Sequence, residues 1–209
     1  MSDQLTDAWR ESRHGLITAS RADQLVTPKA GKVSASAATL GHRLAAERYT
    51  GQWIDETGTS WAMARGIERE PGTRARYSFE RDADVTESGF IRSGEIGCSP
   101  DGLIGEDGGL EIKNPLIAGY MKAAIHVYET GEVPPEYVCQ CRLSLMVTDR
   151  AWWDLCVDYP DMPLVVVRLY RDEAAEAQMQ AGIDACLDAR DAALAALHEM
   201  SGTALEAAA

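Results

Sequence analysis

The chain has 209 residues, 45% of them hydrophobic, enough for one domain with a real buried core. Its 33 acidic and 20 basic residues give a formal net charge of −13, which argues against simple coating of nucleic acid, a mode that rests on neutralising phosphates with Lys and Arg. No apolar run reaches the length of a membrane span and residues 1–10 are polar with no signal-peptide core, so the sequence reads as intracellular, with no membrane partner.

In chain order, residues 18–26 and 36–50 suit helices, with Thr18 or Ser20 as caps and Gly51 as a stop. A third helix starts near Ser60 and runs through Trp61, Met63, Ile67 and Glu70 toward Tyr77 and Phe79. Pro71 lacks a backbone donor and disfavours α geometry at Glu70, which predicts a kink or boundary there. Residues 84–92, 95–104 and 109–113 read as strands of a meander, with Glu106-Asp107-Gly108-Gly109 as turn residues. A helix over 117–129 follows, then a break at Pro134-Pro135 and another helix through 138–147. Residues 150–158 and 164–170 are strands by their β-branched and aromatic content, and the alanine-rich stretch 172–200 is a long final helix. The expectation is one α/β domain over residues 1–209, with its core in 8–200 and a frayed tail at 201–209.

The charge is unevenly spread. Residues 1–52 carry seven basic side chains against five acidic ones, whereas from Arg171 onward there are two basic and eight acidic, so the last segment alone subtracts six charges. The five cysteines are an odd number without CxxC spacing and read as reduced, mostly buried thiols. The four histidines are scattered and form no metal pattern.

Chemistry concentrates in Cys98-Ser99-Pro100-Asp101 and in Leu110-Glu111-Ile112-Lys113. Side chains alternate along a strand, so Glu111 and Lys113 share one face while Ile112 points into the core. A hairpin brings Asp101 beside Glu111, and two carboxylates then share a pocket with one ammonium. Carboxylates crowded this way call for a cation, and oxygen ligands with open water positions suit Mg²⁺ or Mn²⁺ better than zinc. Taken alone, Glu-x-Lys in a strand also fits a solvated ion pair. A calcium loop does not fit, because Leu103 and Gly105 stand where oxygen ligands are needed.

Four blocks in order along the chain resemble the phage lambda-type alkaline exonucleases, a viral recombinase branch of the PD-(D/E)-x-K nucleases. The first is Trp9 to Ser20, similar to W-x3-R-x-G-x-I-T-A-S; the second is Gly66 to Glu70, similar to G-x3-E. The third is Ser99-Pro100-Asp101-Gly102 with Glu111-Ile112-Lys113, and the fourth is Tyr137-Val138-Cys139-Gln140-Cys141, similar to a helical glutamine motif. The resemblance implies a restriction-endonuclease-like core, a central mixed β-sheet flanked by helices.

It also implies residue roles. Glu70, Asp101 and Glu111 would hold two Mg²⁺ ions, with Mn²⁺ able to substitute. Lys113 would orient the attacking water and Gln140 would help place water or lysine. Arg13, Ser20 and Ser99 would bind a 5′-phosphate, a guanidinium fork and hydroxyls at a helix N-terminus being a good receptor for a dianion. Lys29 and Met63 would contact DNA, Met63 as an apolar wedge. Plainer roles compete: a surface helical acid for Glu70, a backbone-bonded core residue for Gln140, a turn cap for Ser99, a solvent-exposed cation for Arg13 and core packing for Met63.

By the same resemblance the protein would degrade one strand of duplex DNA 5′→3′ from a phosphorylated end, leaving a 3′ overhang for recombination. It would act as a homotrimeric ring around DNA, with a single-strand annealing protein as partner, in the cytoplasm of a bacterial host from a phage or prophage gene. Two alternatives remain at this point: a structure-specific endonuclease of the same fold, and a noncatalytic DNA-binding assembly protein.

Overall fold

The computed structural model of the protein describes residues 11–28, 30–54 and 61–207. Strands β1 (Ile17–Thr18), β2 (Val85–Thr86), β3 (Ile91–Ser93), β4 (Ile96–Cys98), β5 (Gly102–Ile104), β6 (Gly108–Lys113), β7 (Trp152–Val157) and β8 (Val165–Tyr170) form two sheets. The smaller has the order β1-β4-β3, with β1 parallel to β4. The larger has the order β2-β5-β6-β7-β8 and is mixed: β6 and β7 run parallel, and the other pairs are antiparallel. The helices are α1 (Ser36–Thr50), α2 (Trp61–Arg81), α3 (Ile117–Thr130), α4 (Pro135–Thr148) and α5 (Glu173–Ala207).

Burial follows the strand period. Leu110 and Ile112 of β6 pack with Tyr77 of α2 and Cys156 of β7 on one face of the large sheet. On the other face Trp153, Leu155 and Val157 of β7 pack under Tyr120 and Ala123 of α3 and Cys141 and Leu145 of α4. A third cluster joins α1, α4 and α5 to the small sheet through Leu40, Leu44, Ile17, Leu143 and Ile183. All five cysteines are free and buried, as expected.

Local preference lost to tertiary context at several points. The stretch expected to be helical from residue 18 is strand β1 followed by a 3-10 turn, Ala19–Gln24. Val26 bridges Val33, and the Thr27 amide donates to the Lys32 carbonyl at 2.8 Å, so the chain turns back after the 3-10 segment instead of continuing as a helix. The boundary expected at Pro71 is absent: α2 runs unbroken from Trp61 to Arg81. The loss of one donor is offset by what this helix anchors, including Tyr77 Oη donating to buried Asp154 Oδ2 at 2.6 Å and Thr73 Oγ1 within 2.9 Å of Asn114 Oδ1 and Asp158 Oδ2.

The single strand expected over 95–104 is two strands in different sheets. Pro100 has no N–H to give a ladder, and the chain crosses from β4 to β5 at Ser99-Pro100-Asp101. The hairpin turn lies at Gly105–Asp107, with Gly105 at φ +53°, while Gly108 and Gly109 belong to β6. Their lack of side chains has another cause: the indoles of Trp152 and Trp153 lie where a Cβ would stand.

Candidate active site

The β5–β6 hairpin sets the first group of side chains. The Asp101 amide donates to the Leu110 carbonyl at 3.1 Å, and Asp101 Oδ2 accepts the Ile112 amide at 2.6 Å, so the aspartate is clamped across the hairpin beside Glu111. Glu111 and Lys113 emerge on the face opposite Ile112, 2.7 Å apart as an ion pair. Gln140 on α4 reaches down between them. Its Nε2 donates to Glu111 Oε1 at 2.6 Å and its Oε1 accepts Lys113 Nζ at 3.0 Å, so it is not the backbone-bonded core residue of the plainer reading.

Glu70 comes from the opposite wall. It is buried, not on a solvated face, and it accepts Arg74 Nη2 at 2.5 Å one helical turn on. Arg74 also donates Nε to the Asp101 carbonyl at 2.6 Å, so one guanidinium ties α2 to the β5–β6 hairpin. Sequence reading missed this residue as a site component. The i,i+4 spacing from Glu70 was visible, but it is the same spacing as an ordinary surface pair. Tyr137, with Lys113 Nζ 5.7 Å from its ring centroid, and buried Asn114 were missed as well.

A second group adjoins the first. Arg13 is buried, with Nη2 donating to Ser20 Oγ at 2.9 Å and Nη1 to Ser99 Oγ at 3.2 Å, and its guanidinium lies 5.6 Å from the Phe90 ring centroid. Burial and then the neighbouring Arg21 charge bring its pKa down to about 10, which leaves it cationic at neutral pH. Both groups open into one cleft of about 450 Å³. Its walls also carry Met63, which is exposed rather than core, together with Tyr137 and Gly66. Lys29 lies outside the described residues, as do Trp9 and Arg10 of the first sequence block.

The electrostatics mark strain at the carboxylates. Burial, then Glu111 and Glu70, push the Asp101 carboxyl well above its ordinary range. Burial pushes Glu70 up too; Arg74 opposes it, and Glu111 and Glu87 add to it. Burial opposes the charge on Lys113, but Glu111 and Asp101 outweigh it and hold the ammonium more firmly protonated than usual. Among the described residues no three His, Cys, Asp or Glu side chains are already gathered as a metal cage. What faces the cleft is a hard, oxygen-only donor set whose mutual repulsion a divalent cation would relieve, and that set fits Mg²⁺ or Mn²⁺.

The mixed sheet flanked by helices has the restriction-endonuclease-like architecture, and solved structures of alkaline exonucleases share it. LHK-Exo, an alkaline exonuclease from Laribacter hongkongensis, is 33% identical and superposes with a TM-score of 0.81 over 95% of this chain and 99% of its own. Its complex with dAMP gives 0.80 at the same identity and coverage. A phage-related exonuclease from Haemophilus somnus 129PT, 13% identical, shares the fold with a TM-score of 0.70 over 90% of this chain and 99% of that one. No curated protein matches the chain. The YqaJ-like viral recombinase domain is matched over residues 8–151, and the chain belongs to that family.

Proposed function

We propose that the protein is a Mg²⁺-dependent exonuclease that degrades one strand of linear duplex DNA 5′→3′ from a 5′-phosphorylated end, releasing mononucleotides and leaving a 3′ overhang. One observation carries the reading: a buried arginine with two serines and a carboxylate-lysine group open into the same cleft, so a strand end and a scissile phosphate have adjacent receptors. The dAMP bound to LHK-Exo belongs to the class of product this reaction would release.

Glu70, Asp101 and Glu111 would hold two Mg²⁺ ions, with Mn²⁺ as an alternative. Bound there, the ions supply Lewis acidity, which lowers the pKa of the attacking water and stabilises the leaving 3′ oxygen. Lys113 stays cationic and offsets charge that grows on the phosphorane. Gln140 fixes the lysine and Glu111 relative to each other, so that neither swings during the attack. Arg13, Ser20 and Ser99 receive the 5′-phosphate exposed by each cut, and Met63 and Lys29 contact the duplex. The working form is a homotrimeric ring that encircles DNA in the bacterial cytoplasm and hands its overhang to a single-strand annealing protein.

The test is incubation with linear duplexes bearing 5′-phosphate or 5′-hydroxyl ends, and with closed circles, with and without Mg²⁺. Loss of linear duplex that needs Mg²⁺ and favours phosphorylated ends is expected. Cutting of closed circles would mark an endonuclease, and inertness on every substrate a noncatalytic protein.

A further inference from the structure

The end pocket is built on a bend. Between Arg13 and Ile17 the backbone turns at Gly15, whose φ of +66° lies in the left-handed region, and Ser20 follows in the 3-10 segment. Both parts lean on one carboxylate. Glu47, on the inner side of α1, has no exposed surface. Its Oε2 accepts the Gly15 amide at 3.0 Å, its Oε1 lies 3.4 Å from Arg21 Nη1, and its backbone carbonyl lies 2.9 Å from His14 Nε2. The next residue, Arg48, donates Nε to the Gly15 carbonyl at 3.2 Å, and its Cγ would stand 2.7 Å from any Cβ at position 15. Neither Glu47 nor Arg48 lines the cleft.

A buried carboxylate holds what it bonds strictly in place, because leaving either side unpaired costs the full desolvation of that group. Here the groups held are the amide two residues past Arg13 and the guanidinium one residue past Ser20. Arg21, stacked 4.7 Å from the Trp53 ring centroid, also acts on Arg13 as a like charge, and Glu47 stands as its counter-ion. We propose that Glu47 is a positioning residue for 5′-phosphate recognition, fixing the spacing of Arg13 and Ser20 so that both meet one terminal phosphate. This rests on the end-pocket reading above. A residue that merely stabilised the fold would affect all substrates alike, whereas a positioning residue discriminates between ends.

The experiment measures single-turnover release of the 5′-terminal residue by wild-type, Glu47→Gln and Glu47→Ala full-length protein from linear duplexes that differ only in a 5′-phosphate or 5′-hydroxyl. The preference for phosphorylated ends should fall about tenfold in Glu47→Ala and about threefold in Glu47→Gln, whose amide oxygen still accepts from Gly15, with rates on hydroxyl ends within about twofold of wild type. Glu47→Gln is nearly isosteric and decides the matter if the alanine variant does not fold. An unchanged preference, or equal loss on both kinds of end, overturns the proposal and leaves the pocket standing. Wild-type protein indifferent to end phosphorylation overturns the pocket itself, and this proposal with it.

Discussion

In chelator, Asp101 should contribute to how stability responds to pH, alongside Glu70, which burial shifts in the same direction. The folded pKa of Asp101 lies above the unfolded value of about 3.9, so its contribution is full below that value and is lost as pH rises through the raised folded one. Thermal unfolding in chelator should therefore show wild type losing ground relative to Asp101→Asn as pH climbs, and parallel curves would contradict the burial argument. In Mg²⁺ the roles separate. Asp101→Ala and Glu111→Ala should abolish cleavage with circular dichroism unchanged, while Lys113→Ala should lose about a thousandfold in rate yet still bind metal. Wild-type turnover by Lys113→Ala would remove the lysine from the chemistry. Asp101, Glu111 and Lys113 were legible in the sequence because a period of two and a short hairpin are local properties. Arg74 was not, since its burial and its bond to the Asp101 carbonyl, 27 residues away, are what distinguish it from a surface ion-pair partner.

At the scale of elements, the long helices and the strands β6 to β8 were legible from periodicity and β-branched content. The crossover at Ser99–Asp101 and the 3-10 turn were not, because partners elsewhere in the chain decide both. Helix contacts can be tested at α1–α5, where the helices meet at a glycine. A Cβ on Gly41 would collide with the Cys186 carbonyl and stand 2.9 Å from the Arg190 amide. Because these are backbone atoms, the helix must shift as a whole. Gly41→Ala should cost about 1–3 kcal/mol despite its better helix propensity, read as a lower unfolding midpoint. A midpoint at or above wild type would show that α5 adjusts freely.

For the whole molecule, net charge bears on the proposed retention of DNA. A monomer with charge −13 should hold duplex weakly and release it as salt rises. The acidic helix α5 adds no residue to the cleft walls among the described residues. A ring threaded by its substrate escapes the electrostatic limit, because release requires reaching an end or opening an interface. The proposed trimeric ring predicts the mass of a trimer by light scattering, loading onto ends that is salt-sensitive, and degradation that continues through a salt jump once started. A monomeric mass, or degradation that halts at the jump, would contradict the ring.

The crossover between the two sheets also sets a stride. Ser99 and Asp101 are two residues apart, so their Cα atoms lie within about 7 Å of each other whatever the rest of the molecule does. On the proposed reading, a 5′-phosphate held beside Ser99 would place the next phosphate along the strand at the carboxylates. Product length should then not change with sequence, salt or temperature: chromatography of the digest should return single nucleotides from the first turnover to the last, and oligonucleotide products would contradict the spacing.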